Sequence, residues 1–453
     1  MSLISKTRSR GYGIAALALA ALGAAGCNKD KLLEVTVPSI LNIEDYSTPD
    51  GAEPLRVGVI ARFNTAFDGS GDSFITMTGN MSDEMLTSDT FDGRLTINAR
   101  RSAELNSEMS GIYNNVQRTR AFATMALGIL AQSAPEPASN RGQIYAYLGY
   151  SELMLGEGWC PGVPFSSEDG VTTTYGDPLT TQQIFEKAVA HFDTAITLAG
   201  TTTAVRYFAE IGKGRALLSL GRYADAAAAV ADVPQSFKVV ASHSSNSTSN
   251  GMWSAITNGQ TRYRLASGEG TNGLKYLDTL SSDPRIAWAR SGRIGFSSQF
   301  LNQPDQKKYG RYDDGIVANG IEAKLMIIEA QLQNAANDQA VFDALNALRA
   351  SGPPVVPAMA AGTKPATHDG MVDLFFKERA FWLWLTGHRL GDMRRLVRNY
   401  GRPVESVYPT GALGIPYMMT TIPISGEFGP STAVSIPFQE RNNPKFSGCL
   451  DGV

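Results

Sequence analysis

The sequence predicts a mainly α-helical protein whose scaffold consists of tetratricopeptide-like helix pairs. Three observations lead to this prediction. Apolar residues recur at helical spacing in consecutive segments that are separated by short connections. The segment 209–233, AEIGKGRALLSLGRYADAAAAVADV, has small residues where two helices would approach closely and Tyr223 at the turn. A later pair of segments, 321–334 and 339–350, follows the same plan, so we expect about four stacked helix pairs.

Prolines, glycines and apolar spacing set the expected bounds of the helices. We expect helices over 54–67, 105–132, 138–156, 180–199, 205–220, 222–233, 321–334 and 339–350. Thr180 or Thr181 would cap the fourth of these helices, and Pro234 would close the sixth. The segment 76–94 is rich in Ser, Thr, Asp and Gly, which predicts a solvated surface loop with a short helix.

The segment 371–400 combines helical apolar spacing with closely spaced acids and bases and contains no proline. It predicts a helix that is buried on one side. Arg389 lies three residues before Asp392 and Arg395 three residues after it, so the three side chains would share one helix face. We expect Glu378, Arg389, Asp392 and Arg395 to form a structural ion-pair network that fastens the last helices to the repeats.

The N-terminus has the pattern of a bacterial export signal. Lys6, Arg8 and Arg10 give a basic start without acids, and residues 11–25 are almost wholly apolar but too short for a comfortable membrane span. Small residues precede Cys27, which favours lipidation of its thiol; an ordinary cleaved signal with an incidental cysteine is the alternative. We expect residues 1–26 to be a lipoprotein signal peptide, whose removal would take the net charge from −3 to about −6.

Export would place the remaining cysteines, Cys160 and Cys449, in an oxidising compartment. A disulfide between them would close a very long loop and restrict the unfolded chain. Two unpaired buried cysteines are the alternative.

Residues 235–319 form a loop-rich insertion in which aromatic residues are scattered among Gly, Ser and Asn. Such aromatics either build small cores under loops or offer flat faces to a ligand, with Asn, Arg and Asp supplying directional hydrogen bonds. At least one of them is expected to line a binding surface. The candidate ligand-binding residues are Phe91, Arg94, Trp253, Tyr263, Trp288, Tyr309 and Tyr312.

No sequence motif indicates catalysis or a cofactor. The four histidines are dispersed and do not have the spacing of a zinc site, and there is no nucleophile elbow, phosphate-binding loop or dinucleotide fingerprint. The slightly negative charge does not favour a nucleic-acid partner. We therefore expect a protein that is not an enzyme and binds neither metal nor cofactor, although paired carboxylates could lie close together in space.

The order of these features resembles the SusD/RagB family of outer-membrane nutrient-binding lipoproteins. Residues 142–165 resemble its first repeat helix and the loop that follows, and residues 436–446 resemble its terminal segment. The most specific likeness is a Glu-Arg…Gly-x-Arg…Asp-hydrophobic-x-Arg pattern, matched here by Glu378, Arg379, Gly387, Arg389, Asp392 and Arg395. The resemblance covers nearly the whole chain after residue 26, and no ligand-binding residue is carried over by it.

The resemblance implies a single SusD-like domain over residues 27–453, with helical repeats at about 105–234 and 321–400 and a ligand-facing, loop-rich insertion at about 235–319. It also implies a lipid-anchored protein at the cell surface that captures an oligosaccharide or a peptide. The protein would act as a lid that delivers this ligand to a TonB-dependent transporter of the SusC/RagA type. The loop aromatics among Asn, Gly and Arg favour a glycan.

Two other functions remain open at the level of sequence. A periplasmic tetratricopeptide scaffold would bind proteins through its helices, with Trp253, Trp288 and Tyr309 buried and sharing no groove. A secreted glycoside hydrolase would need two carboxylates roughly 5 to 10 Å apart in a cleft.

Overall fold

The helices follow the predicted order along the chain. A computed structural model describes residues 48–69, 71–168, 172–258, 261–277, 283–298, 302–413 and 426–450. Its α-helices are α1 (Pro49–Asp68), α2 (Phe74–Met81), α3 (Asp92–Asn98), α4 (Ser107–Ser133), α5 (Ala138–Gly158), α6 (Thr181–Ala199), α7 (Thr203–Ser219), α8 (Tyr223–Ala229), α9 (Gly320–Leu332), α10 (Asp338–Ser351), α11 (His368–Trp382), α12 (Arg389–Arg398) and α13 (Val404–Val407). The expected signal peptide and Cys27 lie outside the described residues.

Successive helices pack on one another as a stack of pairs. Helix α4 packs on α1 and α5, α5 on α6, α6 on α7, and α9 on α10 and α11. The core between the pairs is apolar, and small residues allow close contact there. A Cβ atom on Gly212 would lie 2.3 Å from the ring of Phe192, and one on Gly149 would lie 2.8 Å from the same ring. The expected mainly α, tetratricopeptide-like scaffold is therefore confirmed.

The caps of the helices follow from local sequence. The Thr180 hydroxyl accepts a hydrogen bond from the Gln183 N–H, and the Gln183 side chain accepts one from the Thr180 N–H, which together form a capping box at the start of α6. Asn106 caps α4 and Asn319 caps α9 in a similar way through their side-chain oxygens. The helix expected over 222–233 is shorter and ends at Ala229.

Short antiparallel strand pairs organise the regions between the helices. The strands are β1 (Met85–Thr87), β2 (Val163–Pro164), β3 (Ser167–Glu168), β4 (Thr173–Thr174), β5 (Pro178–Leu179), β6 (Lys238–Ala241), β7 (Tyr263–Leu265), β8 (Trp288–Arg290), β9 (Pro304–Gln306) and β10 (Gly315–Asn319). The pairs are β1 with β7, β2 with β5, β3 with β4, β6 with β10 and β8 with β9. A π-helix covers Trp253–Thr257. The β1–β7 pair joins the segment after α2 to the loop-rich insertion.

The expectation of a solvated loop over 76–94 is wrong for most of this segment, although residues 90–92 are exposed. Every residue of α2 is buried, and so are Asp83, Glu84 and Asp89 after it. Polar composition predicted exposure, but these side chains have hydrogen-bond partners inside the protein. The Asp83 carboxylate, for example, accepts hydrogen bonds from the Asn98 amide and from the Gly270 N–H.

The expectation of one continuous helix in 371–400 is also wrong. Helix α11 ends at Trp382 and α12 begins at Arg389. Between them, Leu385 has φ 53° and Gly387 has φ 79°, so the backbone is left-handed at two positions and cannot continue a helix. Gly387 also lies against α2, where a Cβ would be 2.9 Å from Ile75.

The structure joins Cys160 to Cys449 by a disulfide, with the two Cα atoms 5.7 Å apart. Backbone hydrogen bonds hold the same two segments together. The Cys160 N–H donates to the Val434 carbonyl, and the Leu450 N–H donates to the Pro161 carbonyl. The C-terminal segment is thus fastened to the loop that follows α5.

We predict that the double variant Cys160→Ser, Cys449→Ser is less stable by ~2–4 kcal/mol, because the unfolded chain loses a constraint across a long loop. Denaturant unfolding of the oxidised protein and the variant measures this difference. Reduction of the wild type with a thiol should produce a similar loss and should leave the variant unchanged. Equal stability of oxidised wild type and variant would contradict the prediction.

Candidate functional site

An exposed group of aromatic and arginine side chains lies where the segment between β1 and α3 meets two segments of the loop-rich insertion. Phe91 is 45% exposed and Phe296 is 44% exposed. The guanidinium of Arg262 lies between them, 4.8 Å from the centre of the Phe91 ring and 4.2 Å from that of Phe296. We call Phe91, Arg262 and Phe296 the first aromatic–arginine cluster.

Backbone hydrogen bonds bring these distant parts of the sequence together. Strand pairing places Thr87 opposite Tyr263. The Ser88 N–H donates to the Arg262 carbonyl at 2.8 Å, and the Ser297 N–H donates to the Ser88 carbonyl at 2.9 Å. The cluster therefore stands on paired backbone, which limits its freedom to move.

Buried charges below the surface fix the arginine. Asp89, whose side chain is fully buried, pairs with Arg262 at 2.8 Å and also with Arg94. Arg94 in turn pairs with Asp72 at 2.7 Å, and the Tyr263 hydroxyl donates to Asp72 at 2.7 Å. Two arginines and two aspartates balance each other, so the first cluster carries no excess charge.

A second group has the same composition. The guanidinium of Arg311 lies 5.4 Å from the ring centre of Trp253 and 5.1 Å from that of Tyr312. Tyr312 is 40% exposed, and Trp253 is half-buried at the start of the π-helix. We call Trp253, Arg311 and Tyr312 the second aromatic–arginine cluster.

The predicted candidates divide between surface and core. Phe91, Trp253 and Tyr312 belong to the clusters, and Trp288 is half-buried with Arg290 6.0 Å from its ring centre. Tyr263 and Tyr309 are buried, as is Arg94, so none of these three presents a face to a ligand. Their selection as direct ligand contacts stays a prediction that this burial does not favour, and for the two tyrosines the reason is that a loop-rich sequence does not reveal which aromatics build its small cores.

Sequence reasoning did not select Arg262, Phe296 or Arg311. Strand alternation could have indicated Arg262. Neighbouring residues in a strand point to opposite faces, so the side chain next to a buried Tyr263 is directed away from the buried face. Phe296 lies far from Phe91 in sequence, and only the fold brings the two together.

The expected ion-pair network is present, but its partners differ from those predicted. Asp392 pairs with Arg379 at 2.9 Å and with Arg395 at 2.8 Å, and Arg395 also pairs with Glu329 of α9. Burial alone would raise the pKa of Asp392, but the charges of Arg379 and Arg395 outweigh it and hold that pKa well below its usual range.

Arg389 and Glu378 make their ion pairs elsewhere. Arg389 pairs with Glu269 of the insertion at 2.5 Å, and not with Asp392 as predicted. Glu378 pairs with Arg285 of the insertion at 2.7 Å and with Arg349 of α10 at 2.6 Å. Spacing on one helix face correctly predicted the Asp392–Arg395 pair, but it did not predict the partners of Arg389 and Glu378, which lie on other elements.

Glu84, which lies between α2 and β1, and Lys308 of the loop-rich insertion also hold the break between α11 and α12. Glu84 accepts a hydrogen bond from the Leu385 N–H at 3.0 Å, and the Lys308 ammonium donates to the Trp384 carbonyl. Burial raises the pKa of Glu84 to about 7 and lowers that of Lys308 to about 8. The left-handed turn at Leu385 is thus braced by two buried ionisable groups.

A cavity of about 790 Å³ lies beside α11, with Arg285, Arg349, Glu378 and Phe381 among its lining residues. Within the described ranges, no three or more His, Cys, Asp or Glu side chains are grouped so that they could hold a metal ion. Nor does any helix in those ranges have the length and apolar character needed to cross a membrane.

The fold is similar to that of solved SusD-like structures. A SusD-like carbohydrate-binding protein from Bacteroides fragilis NCTC 9343 matches with a TM-score of 0.65 at 15% identity, over 89% of this chain and 99% of that one. A SusD superfamily protein from Bacteroides thetaiotaomicron VPI-5482 matches with a TM-score of 0.64 at 13% identity, over 89% and 100%. A SusD-like carbohydrate-binding protein from Bacteroides vulgatus ATCC 8482 matches with a TM-score of 0.63 at 14% identity, over 88% and 97%.

These likenesses extend over most of the chain, and the protein has a SusD-like fold. No protein-family model matches the sequence, and no curated protein matches it. The likeness therefore lies in the arrangement of the helices and loops, at a sequence identity too low to define a ligand.

We predict that Asp392→Asn lowers the free energy of unfolding by ~3–5 kcal/mol, because it leaves buried arginine charge uncompensated. Asp373→Asn is the matched control: Asp373 pairs with Arg402 at 3.1 Å, but its side chain is 69% exposed. The control should change stability by less than ~1 kcal/mol. A folded, equally stable Asp392→Asn protein that had lost its ligand would show that Asp392 has a binding role instead.

We predict that Glu84→Gln flattens the dependence of stability on pH. Between pH 4.5, the ordinary carboxyl pKa, and about 7, the folded protein retains a proton on Glu84 that the unfolded chain has released. The wild type should therefore lose stability as the pH rises through this window, by up to ~3 kcal/mol. The variant should lose less stability over this window, because glutamine does not titrate. Its side-chain oxygen can still accept the Leu385 N–H, so the turn keeps this hydrogen bond.

Urea unfolding at pH 5 and pH 7.5 measures this effect, with the exposed Glu186→Gln as the control. Parallel pH profiles for Glu84→Gln and the wild type would contradict the predicted protonation of Glu84.

Proposed function

We propose that this protein is a non-catalytic, lipid-anchored cell-surface protein that binds an oligosaccharide and delivers it to a TonB-dependent transporter of the SusC/RagA type. The observation that carries the proposal is the first aromatic–arginine cluster, in which Phe91 and Phe296 are exposed on either side of a fixed Arg262. Exposed aromatic faces that are held in place on a loop surface are suited to stacking against the C–H face of a sugar ring.

The polar groups of the cluster suit sugar hydroxyls. Arg262 supplies N–H donors, and its pairing with Asp89 balances its charge, which favours a neutral hydroxylated ligand over an ion. Because the ion pairs and the paired backbone already restrain these side chains, little conformational freedom remains to be lost on binding. A shallow site of this kind would bind with modest affinity and release its ligand readily.

The comparisons support a glycan as the ligand. Two of the three solved proteins described above are named as carbohydrate-binding, and they share the fold over nearly their whole length. The same fold, together with exposed aromatics on its loops, is consistent with that ligand class here.

A protein-binding tetratricopeptide scaffold fits less well. That hypothesis requires Trp253, Trp288 and Tyr309 to be buried. Tyr309 is buried, but Trp253 and Trp288 are only half-buried, and Trp253 belongs to an exposed cluster. The accessible aromatic groups lie on loops, short strands and a π-helix rather than on the repeat helices.

A glycoside hydrolase is also less well supported. Asp283 and Glu378 line the cavity of about 790 Å³, but both carboxylates pair with the same Arg285. Burial alone would raise the pKa of Asp283, yet the hydrogen bonds and charge of Arg285 lower it. A general acid needs a raised pKa, so this pair is better suited to a structural role.

The N-terminal sequence supports the anchor and the location. A basic start, a short apolar stretch and Cys27 after small residues are typical of an exported lipoprotein. Together with the SusD-like fold, they favour the cell-surface side of the outer membrane and a transporter partner. Purification from membranes in mild detergent should recover a TonB-dependent barrel with this protein, and its consistent absence would contradict the delivery role.

We predict that Phe91→Ala weakens oligosaccharide binding by roughly fivefold to tenfold, because a stacking face is lost. Phe438→Ala is the matched control, since Phe438 is 50% exposed and has Arg441 5.7 Å from its ring centre but lies in the C-terminal segment. A glycan array followed by calorimetry on the bound oligosaccharide measures the change.

Turnover of the oligosaccharide would favour the hydrolase, and binding of peptides without glycans would contradict the glycan assignment. Equal losses from Phe91→Ala and Phe438→Ala would show that the first cluster is not the site.

A further inference from the structure

The second aromatic–arginine cluster is built on a single buried side chain. Asn250 is fully buried, and its side-chain oxygen accepts the Trp253 N–H at 3.0 Å. The Asn250 N–H donates to the Arg311 carbonyl at 2.9 Å, and its side-chain amide donates to the Asp313 carbonyl at 3.1 Å. One residue thus holds both halves of the cluster in position.

The support continues below Asn250. The same amide also donates to Asp68 at 3.0 Å, and the Gly251 N–H donates to Asp68 at 3.0 Å. His243 Nε2 lies 3.2 Å from Asp68 Oδ2, the same carboxylate oxygen that accepts the Asn250 amide. The half-buried ring of Trp253 and the exposed ring of Tyr312 are therefore held in place before any ligand binds.

The charge of the second cluster differs from that of the first. Arg262 is paired with Asp89, whereas no carboxylate of the described residues forms an ion pair with Arg311. Asp313 follows closely in sequence, but its carboxylate accepts the Gly310 N–H at 2.7 Å. The side chain of Arg311 is exposed and stacked on both rings, so the edge of its planar guanidinium keeps donors for a ligand.

We propose that Trp253, Arg311 and Tyr312 bind a sugar residue that carries a carboxylate, that is, a uronic acid within a glycan. This deepens the proposed function and rests on it. The carboxylate would accept two parallel hydrogen bonds from the guanidinium edge, and the sugar ring would stack on the exposed face of Tyr312. A planar fork of N–H donors matches the planar carboxylate, and the aromatic faces distinguish a sugar acid from a simple anion.

Calorimetry on the purified full chain tests this assignment. The probes are trisaccharides of galacturonate, glucuronate and mannuronate, each beside its neutral counterpart of galactose, glucose or mannose. At least one uronate should bind more tightly than its neutral counterpart, and added salt should weaken that preference. Arg311→Met should weaken binding of this uronate about tenfold, with little effect on the neutral sugar. Arg311→Lys should restore part of the loss.

Arg290→Met is the matched control, because Arg290 is also exposed beside an indole, that of Trp288, but belongs to neither cluster. It should bind the uronate as the wild type does. If none of the three uronates bound more tightly than its neutral counterpart, or if Arg311→Met bound the preferred uronate as tightly as the wild type, the acidic-sugar site would be overturned while neutral-glycan binding stayed intact. Stronger binding of a sulfated trisaccharide than of any uronate would overturn the choice of carboxylate.

Failure of the proposed function has a different signature. In that case neither neutral nor acidic glycans would bind to the wild type, and Phe91→Ala would have no binding to reduce. Thermal unfolding of each variant, followed by circular dichroism, shows whether the fold is retained.

Discussion

The structure depends on the rule that a buried charge must be paired, and the segment from Glu378 to Arg395 applies that rule at several points. Arg395, which pairs with Asp392, also pairs with Glu329 in the helical repeats, while Arg389 pairs with Glu269 in the loop-rich insertion. Removal of any one partner would leave charge in a dry interior, which is far more costly than the loss of a surface ion pair. Helices and insertion therefore hold each other in place, and the loops are not independent of the scaffold.

The exposed clusters follow from this rigid attachment. A loop can present aromatic faces for binding only if something else prevents them from collapsing into the core. Here buried carboxylates do so: Asp89 fixes the first cluster through Arg262, and Asp68 supports the second through Asn250. Both carboxylates lie in segments that precede the long repeat helices, so the N-terminal part of the described chain forms the foundation of the face that we propose binds glycans.

The fold is shared with solved SusD-like proteins at identities of 13–15%. In this chain the fold rests on apolar spacing, small residues at close helix contacts and paired buried charges, and different sequences can meet requirements of this kind. Ligand recognition needs particular side chains at particular points on the loops. For this reason the likeness shows the fold alone, and we base the proposed acidic-sugar site on Arg311 and its surroundings in this chain.

The sequence by itself determined the helical class, the order of the helix pairs, the capping of α6 at Thr180 and the presence of an ion-pair network in the last helices, because these depend on periodicity and local hydrogen bonding. Only the tertiary structure decided that α2 and the acids after it are buried, that α11 and α12 are separated at Leu385, and that Phe91 meets Phe296 across Arg262. In each case the deciding partner is distant in the chain. Local spacing states which residues can share a helix face, but it does not state which charges and rings the fold will bring together.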